Sequence, residues 1–504
     1  MVFASCQLSH ATDWPQWGRD ASKNMVSPEK NLPITFDPGK MDFRTEVVDM
    51  KTTKNVKWIA KLGSHSYGNV TVAGGKVFVG TNNESPRDKR HKGDRGNVLC
   101  LDEKTGKFLW QLVVPKLGVG KVGDWEYLGI CSSPTVDENR VYVVTNRCEV
   151  LCLDIDGFGN GNDGPFKDEG QYMAGTGKPA TEVVPTDADI IWRYDMIDDL
   201  SVFPHNIASS SILVVGDKLF VTTSNGQDWS HVNIPNPRAP TLICLDKKTG
   251  KLIGEEGAGI SRRLYHCNWS SPAYGVIDGQ PQVVFAAGDG FCYGFGVKPV
   301  KDEDDFGILP ELWRYDCNPP EYKMKEGKKT RYTAFEGPSE CIATPVIHKN
   351  RAYIAIGQDP EHGEGVGCLN CIDMTKRGDT STSGVVWKFQ GIERTISTVS
   401  IADDLLFVAD YTGRVFCLDA DTGKQQWMHD TKSSNWASTL VADGKVYIGV
   451  EDGMLYVFKA DKKLKLLGEV DIGASIYSSA VAANGVLYIA TESHLYAVSK
   501  EVTK

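Results

Sequence analysis

The residues best able to do chemistry stand at the starts of recurring strand-like segments. They are two histidines, a glutamate, an arginine and three aromatic residues: His205, His266, Trp269, Glu340, Arg394, Trp436 and Tyr477. If these segments converge on one axis, imidazole, carboxylate, guanidinium and aromatic groups would line a funnel suited to a polar or sugar-like ligand. The alternative is a water-filled channel lined by satisfied polar groups. Position alone assigns no acid or base among them.

A second cluster of ligating residues lies in the insertion DIDGFGNGNDG. Its hard oxygen ligands are Asp154, Asp156, Asn160, Asn162 and Asp163, and its glycines allow tight wrapping. The spacing is not that of an EF-hand, because Phe158 and Pro165 stand where ligands would be needed. A calcium-binding loop is one hypothesis for this segment, and a plain surface loop rich in Gly, Asp and Asn is the other.

These residues need elements to position them, and a repeated unit supplies the elements. CLDADTGKQQW (417–427) occurs again as CLDEKTGKFLW (100–110) and as CLDKKTGKLIG (244–254), where Gly254 replaces the Trp. Each unit indicates a strand, an Asp-x-x-Thr-Gly turn and a second strand. The Asp accepts hydrogen bonds from turn amides, and the Gly takes a positive φ.

Pairs of short hydrophobic strands joined by Gly or Asn turns recur eight times between residue 56 and the C-terminus. One such sheet cannot bury both faces, but eight packed radially can. We therefore predict an all-β, eight-bladed propeller of four-stranded antiparallel blades over residues 56–504, preceded by an N-terminal strap over residues 12–55. The strand containing Trp58 is predicted to complete the last blade and close the ring.

Composition excludes several classes of protein. A net charge of −10 over 504 residues, without a basic cluster, argues against nucleic-acid binding. No apolar run approaches the length of a membrane span, and we expect a monomer. Of the 13 cysteines, five occupy one repeat position, where a small buried side chain fits better than a disulfide: Cys100, Cys152, Cys244, Cys371 and Cys417.

The first eleven residues, MVFASCQLSHA, are apolar and rich in small side chains. They lack a basic start, so we interpret residues 1–11 as the end of a truncated signal segment, with an ordinary N-terminus as the alternative. Cys6 lies in a faint lipoprotein cleavage box. These features favour an exported, periplasmic protein, lipid-anchored at Cys6 if that box is used.

The small-x-Asp-x-x-Thr-Gly-x-x-x-Trp pattern of Cys100 to Trp110 and Cys417 to Trp427 resembles the tryptophan-docking repeat of pyrroloquinoline-quinone (PQQ) propellers, over nearly the whole chain. The resemblance implies that one Trp per blade packs on its neighbour. The Trp residues given this role are Trp110, Trp192, Trp313, Trp387 and Trp427.

The same superfamily holds quinoprotein dehydrogenases and non-catalytic scaffolds, among them the BamB-like lipoprotein of the outer-membrane barrel-assembly machinery. The dehydrogenases use PQQ and calcium, but no Cys-Cys dipeptide and no CxxCH haem motif occur here. We therefore expect a non-catalytic binding or assembly scaffold without cofactor, whose rim loops and funnel meet protein partners or a small polar ligand. The alternatives are a PQQ- and calcium-dependent alcohol or sugar dehydrogenase and a carbohydrate-binding propeller.

Overall fold

Eight antiparallel sheets of four main strands surround a central axis in the computed structural model, which describes residues 12–500. This architecture confirms the predicted all-β, eight-bladed propeller. The strands of blade 1 are Thr71–Ala73, Lys76–Asn82, Arg95–Asp102 and Phe108–Pro115, and those of blade 2 are Thr135–Asp137, Arg140–Val144, Glu149–Asp154 and Ile190–Asp195. The strands of blade 3 are Leu213–Val215, Lys218–Thr222, Leu242–Asp246 and Leu252–Glu256, and those of blade 4 are Ala273–Ile277, Gln280–Ala286, Phe291–Gly296 and Glu311–Asp316.

Blades 5 to 8 follow the same order from the axis outwards. The strands of blade 5 are Val346–His348, Arg351–Ile356, Cys368–Asp373 and Val385–Phe389, and those of blade 6 are Ser400–Ala402, Leu405–Ala409, Arg414–Asp419 and Gln425–Asp430. The strands of blade 7 are Leu440–Ala442, Lys445–Gly449, Met454–Lys459 and Leu466–Asp471. Blade 8 consists of Val481–Ala483, Val486–Ala490 and His494–Val498, with Val56–Lys61 as its fourth strand.

The strand Val56–Lys61 closes the ring, as predicted. It pairs antiparallel with His494–Val498, with Ile59 opposite Tyr496. The last blade thereby gains its outermost strand from the start of the propeller, so every blade has four main strands.

Helices are few and short. They are the α-helices Glu169–Ala174, Met196–Leu200 and Pro320–Lys323 and the 3₁₀ helices Met50–Thr52, Gly157–Asn160 and Ile260–Arg263. No helix within residues 12–500 has the length and apolar character needed to cross a membrane. The remaining short strands form two hairpins, Lys40–Asp42 with Val47–Asp49 and Met324–Lys325 with Lys328–Lys329, or add to blade edges: Val26–Ser27, Val300–Lys301, Gly307–Leu309 and Gly378–Asp379.

The glycine of the repeated turn is required for two separate reasons. In blade 6, Oδ1 of Asp419 accepts hydrogen bonds from N and Oγ1 of Thr422, at 2.9 and 2.8 Å. Gly423 then takes a φ of +70°, and a Cβ on it would lie 2.6 Å from the Trp387 ring of blade 5. Glycine is therefore required both for the turn and for the close approach of the neighbouring blade.

The indoles of the repeat reach from blade to blade. Trp110 donates to the carbonyl of Ile155 at 3.0 Å, Trp387 to that of Ala420 at 3.1 Å, and Trp427 to that of Asp461 at 2.8 Å. Each acceptor belongs to the next blade. In these three pairs the indole of one blade therefore contacts the backbone of the next.

Two members of the set differ in their hydrogen bonds. Trp192 packs against Gly250 of blade 3 but its Nε1 has no hydrogen-bond partner. Trp313 donates instead to Gln282 of its own blade at 2.8 Å, while its ring packs in the core shared with blade 5. At the ring closure Trp58 serves blade 8 and donates to the Glu103 carbonyl of blade 1 at 2.9 Å.

Gly254 stands where blade 3 lacks its Trp, and another segment fills the space. A Cβ on Gly254 would lie 2.6 Å from Pro299, which belongs to an insertion of blade 4. That insertion continues into the strand Gly307–Leu309, which pairs parallel with Leu252–Glu256. Blade 3 is therefore joined to blade 4 by backbone pairing, where blades 1, 5 and 6 use an indole hydrogen bond.

Around the axis, side chains at the starts of the inner strands join adjacent blades. Each accepts a hydrogen bond from a backbone amide of the preceding blade. The pairs are Ser133 N to Ser211 Oγ, Ser211 N to Ser271 Oγ, Thr344 N to Thr398 Oγ1, Thr398 N to Ser438 Oγ, Ser438 N to Ser479 Oγ and Ser479 N to Asn69 Oδ1.

Residues 14–29 of the strap run across one end of the propeller and bond to successive blades. Trp14 exchanges backbone hydrogen bonds with Val72 of blade 1 at 2.8 and 2.9 Å. Further along, the carbonyls of Pro15, Ala21, Ser22 and Met25 accept from the amides of Val136, Tyr274, Ile347 and Val441. Trp17 points into the axis, where its Nε1 donates to Thr344 Oγ1 at 3.0 Å. The strap thus caps this end, which we call the narrow end.

One lysine of the strap, Lys23, is fully buried. Lys23 Nζ donates to Gln16 Oε1 at 2.8 Å, and burial, partly offset by Asp20, lowers the pKa of Lys23 to about 7. Between pH 7 and the ordinary lysine pKa the unfolded chain holds a proton that the folded chain lacks. Lys23 therefore makes the free energy of unfolding rise with pH across this window, by at most about 1.4 kcal/mol per pH unit.

We expect Lys23→Met to stabilise the protein at pH 7 and to flatten this rise, because the methionine carries no proton into the unfolded state. The measurement is the free energy of unfolding from urea titrations at intervals between pH 7 and 10. Lys30→Met, at an exposed strap position, is the matched control. Equal pH slopes in the wild type and Lys23→Met would contradict this assignment.

Candidate functional site

The axis of the propeller holds a funnel that widens away from the strap. Its narrow part is a cavity of about 180 Å³ that Trp17 lines, and its wide part is a cavity of about 510 Å³. Tyr67, Cys131 and Trp436 line both cavities, which are therefore consecutive parts of one space. With the strap at one end, the funnel has its mouth among the rim loops at the other.

One wall of the funnel is aromatic. Tyr67 stacks on Tyr477 with ring centroids 4.7 Å apart, and Trp436 meets both rings edge-on at 5.8 and 5.4 Å. The structure thus brings together two residues that the sequence placed at the funnel, Trp436 and Tyr477. Offset and edge-on rings of this kind offer flat surfaces for a planar or sugar ligand.

Arg394 lies beside this wall with its guanidinium already engaged. It covers the ring of Tyr411 at 4.6 Å and donates to the carbonyls of Asp359 and Gly363. Its charge therefore orders the rim loop 357–367. Cys341, at another inner-strand start, is fully buried in the core between blades 4 and 5 and contributes no group to the funnel.

The other predicted residues form a second group. The His205 and His266 rings lie 4.2 Å apart, and Trp269 meets His266 edge-on at 5.0 Å. Glu340 places Oε1 3.7 Å from His266 Nδ1 and accepts a hydrogen bond from the Tyr332 hydroxyl at 2.8 Å. These four residues therefore meet at one place, although they come from three different blades.

Isolated β-bridges hold the segments that carry this group. They pair Pro204 with Asn225, Gly226 with Cys267, and Glu340 with Gly357. At Gly226 a Cβ would lie 2.6 Å from His205 and 3.0 Å from the His266 carbonyl, so a glycine is needed where three segments meet.

Two further histidines join the group from rim loops, and sequence reasoning missed them as site residues. His231 lies 5.0 Å from His205 and 5.3 Å from His266, while His362 lies 4.3 Å from His231 and 4.7 Å from His266. His231 also has a positive φ of +53°, a strained backbone for this residue type. The only sign of these two site residues in the sequence is that each of the two rim-loop insertions carries one histidine. Nothing in the sequence shows that both loops fold inwards.

The electrostatics of the cluster follow from burial and from two carboxylates. Burial lowers the pKa of His205 to about 3 and that of His266 to about 4, and it also lowers the pKa of His231. Asp359 raises the pKa of His362, while burial raises the pKa of Glu340 well above its ordinary range. Neutral imidazoles in a dry site are bases with free lone pairs.

In the candidate calcium loop, the carboxylates of Asp154 and Asp156 are engaged in other contacts. Asp154 is buried in an ion pair with Arg140, and Asp156 pairs with Lys76 at 2.9 Å. The side-chain amide of Asn160 donates to Asp154 at 3.3 Å, that of Asn162 to Glu169 at 3.2 Å, and the backbone amide of Asp163 to Asp189 at 2.8 Å. Calcium binding here stays a prediction.

The funnel residues do not fit the quinone cofactor that the resemblance implies. PQQ is a tricarboxylate and needs cationic partners. The ionisable side chains that line the wide cavity include Glu126, Asp359 and Glu361, and neither Lys nor Arg lines either cavity. A bound quinone would therefore face acidic groups without a Lys or Arg partner in either cavity.

Comparison with known proteins identifies the relatives of this fold. A family model described as "Outer membrane protein assembly factor BamB" matches residues 44–227 and 376–499. A search of curated proteins found no match. Among solved structures, BamB from Moraxella catarrhalis is similar with a TM-score of 0.52 and 12% identity, over 89% of this chain and 98% of that one.

Two oxidoreductases are similar as well. A europium-containing methanol dehydrogenase has a TM-score of 0.61 and 12% identity, over 97% of this chain and 98% of that one. Quinohemoprotein alcohol dehydrogenase ADHIIG from Pseudomonas putida HK5 has a TM-score of 0.50 and 12% identity, over 98% of this chain and 81% of that one. Identities this low show a common fold alone. Because the family model spans more than half of the sequence, the chain belongs to the PQQ-like propeller family described as outer membrane protein assembly factor BamB.

Proposed function

We propose that this protein is an exported, non-catalytic binding scaffold that engages a protein partner through the wide face of its propeller. The observation that carries the proposal is a set of exposed apolar side chains on the rim loops. Trp229, Val232 and Phe335 are 71%, 69% and 61% exposed. Large apolar side chains left in water around a concave mouth are typical of interaction sites.

These side chains belong to the face that carries the funnel mouth. Trp229 and Val232 flank His231, which contacts the cluster beside the funnel, and Phe335 follows Tyr332, which hydrogen-bonds to Glu340. The opposite end is covered by strap residues 14–29. A partner would therefore contact the wide face, where adaptable loops extend from the rigid blades.

Export is supported by the family's description, which names an outer-membrane assembly factor. In the described part of the chain all cysteines are free, and only Cys131 is not fully buried. Burial raises the pKa of Cys152 and of Cys244 to about 12, so these thiols form little thiolate and are unreactive. The proposed lipid anchor at Cys6 lies outside the described residues.

Site-specific photo-crosslinking in the cell envelope of the native host tests the proposal. We expect a crosslinking amino acid at position 229 or 335 to give discrete protein adducts. A crosslinker at Phe43, which is 88% exposed on the strap hairpin, should give none. The substitutions Trp229→Ser and Val232→Ser should abolish the adducts formed from position 335, without changing the melting temperature, because exposed side chains contribute little to stability.

Adducts formed equally from Phe43, or adducts that survive the double substitution, would contradict a partner surface on the wide face. A spectral titration with PQQ and calcium on the same protein tests the dehydrogenase alternative. Stoichiometric quinone uptake with reduction of an acceptor dye would replace the scaffold proposal with an enzyme.

A second candidate function is binding of a carbohydrate in the funnel. The observation that favours it is the stack of Tyr67, Tyr477 and Trp436 above a ring of serine and threonine hydroxyls in the narrow cavity. Rings and hydroxyls together match the apolar faces and polar edges of sugars. The two functions are distinguishable, because Trp436→Ala leaves the rim loops intact and would abolish sugar binding alone.

A further inference from the structure

We propose that His205, His231, His266 and His362 form a binding site for a divalent transition-metal ion of the zinc class. Nothing in the scaffold function requires such a site. The four imidazoles come from two inner-strand entries and two rim loops, and they gather beside the funnel mouth.

Their spacing is that of a ligand set. One ligand atom each from His205, His231 and His266 can be chosen so that all three lie within 4.8 Å of one another. The same holds for His266, His362 and Asp359. His266 is common to both groups, and the ring centroids of His231 and His362 are 4.3 Å apart. The two groups therefore describe one continuous cluster.

The hydrogen bonds of the two buried histidines leave the same nitrogen free. Nδ1 of His205 lies 2.6 Å from the carbonyl oxygen of Gln227, so Nδ1 carries the proton and the lone pair is on Nε2. Nδ1 of His266 faces the Tyr332 hydroxyl at 3.5 Å and Glu340 at 3.7 Å. In both residues Nε2 is buried without a hydrogen-bond partner.

Two buried acceptors without partners cost free energy unless a ligand binds them. Both imidazoles are fully buried, so solvent does not reach them easily. Histidines that bind metals through Nε2 commonly donate Nδ1–H to a carbonyl or carboxylate, which fixes the ring. The carbonyl of Gln227 is such an outer partner for His205, and Glu340 lies 3.7 Å from Nδ1 of His266.

Charge at the cluster favours a cation. Glu340 is fully buried, and its hydrogen-bond donors are the Tyr332 hydroxyl and the backbone amide of Cys267, both neutral. Asp359 lies 3.8 Å from His362 and 3.9 Å from His266. The carboxylate of Asp359 therefore supplies negative charge beside the imidazoles, and neither Asp359 nor Glu340 is paired with a Lys or Arg side chain in the described residues.

A third group of possible metal ligands differs from the histidine cluster because it contains its own cation. Asp88, His91 and Asp187 also cluster, but the guanidinium of Arg90 contacts both carboxylates. The arginine already supplies the positive charge there, so that group is a structural ion pair. The histidine cluster has no such internal cation.

Ligand type and geometry select the class of metal. Imidazole nitrogen suits zinc, copper and nickel, and a nitrogen-rich set of four suits tetrahedral zinc. Zinc–nitrogen bonds of about 2.0–2.1 Å place neighbouring nitrogens about 3.3 Å apart. The half-buried His231 and His362 lie on loops, so a small contraction of these loops would close the site.

The test uses the full chain without an affinity tag, stripped with EDTA and dialysed. Zinc titration by calorimetry, with elemental analysis of the dialysed complex, should give one ion per chain. Cobalt should give the visible absorption of a tetrahedral nitrogen site, and copper should quench part of the tryptophan fluorescence through Trp269. His231→Ala and His362→Ala should each weaken zinc binding by at least about 10-fold.

His65→Ala is the matched control, because His65 lines the same funnel but lies outside the cluster. It should bind zinc as the wild type does. Absence of stoichiometric uptake by the wild type would overturn the proposal. So would zinc affinity that is unchanged in the His231→Ala/His362→Ala double variant, which keeps the core histidines and is expected to fold.

Discussion

Replacing both Trp14 and Trp17 with alanine is expected to detach the strap and to open the narrow end of the funnel. Trp14 is fully buried and Trp17 nearly so. A buried Trp→Ala change costs about 3–5 kcal/mol, so the pair costs about 6–10 kcal/mol if the two are independent. That is comparable with the whole stability of an ordinary domain. The strap should therefore separate from the blades before they unfold.

Thermal melting and maleimide labelling measure the two consequences. The melting temperature should fall, and Cys131, whose side chain lines the funnel, should react faster from the opened end. Phe43→Ala is the control for a large exposed strap residue and should change neither value. A Cys131→Ser version identifies the labelled thiol. Unchanged labelling with a lowered melting temperature would show that Trp17 is a packing residue and does not close the funnel.

Trp110→Ala is expected to lower the free energy of unfolding by about 3–5 kcal/mol. The ring is 1% exposed and packs on Phe78 of its own blade, with centroids 5.8 Å apart. Its Nε1 holds the Ile155 carbonyl of the next blade, which would lose its indole donor. The cavity left by the indole and the loss of its hydrogen bond both weaken the interface between blades 1 and 2. These two blades should therefore separate more readily than other neighbouring blades.

Urea unfolding followed by far-ultraviolet circular dichroism measures this loss. Trp229→Ala removes the same side chain from a 71% exposed position and should change stability by less than about 0.5 kcal/mol. A loss below about 1 kcal/mol for Trp110→Ala would mean that the indole contributes little to the joining of the blades.

Most of the fold could be predicted because its signals are local. The Asp-x-x-Thr-Gly turn fixes a hairpin within a few residues in three blades, and the eightfold recurrence of paired short strands leaves few architectures open. The exchange of Val56–Lys61 into the last blade followed from a missing strand at one end and a spare strand at the other. The short parallel additions Gly307–Leu309 and Gly378–Asp379 could not be predicted, because so few residues carry no periodic pattern.

The residues of the candidate site also divide into those at positions that recur in every blade, which could be predicted, and those in insertions, which could not. His205, His266 and Glu340 were found because they precede inner strands, a position that recurs in every blade. His231 and His362 lie in insertions without a repeat, and their meeting depends on how two loops fold across three blades. Arg394 occupies an inner-strand position, yet a tyrosine ring and two carbonyls engage its charge.

The pairing of Val56–Lys61 with His494–Val498 also dictates the order of events during synthesis. The strand that contains Trp58 is made more than four hundred residues before its partner emerges. Until then it presents an unpaired edge and an apolar ring to other chains. Contacts this distant form slowly. A newly made chain should therefore depend on a chaperone that shields this strand, and interrupted synthesis should yield aggregates instead of smaller propellers.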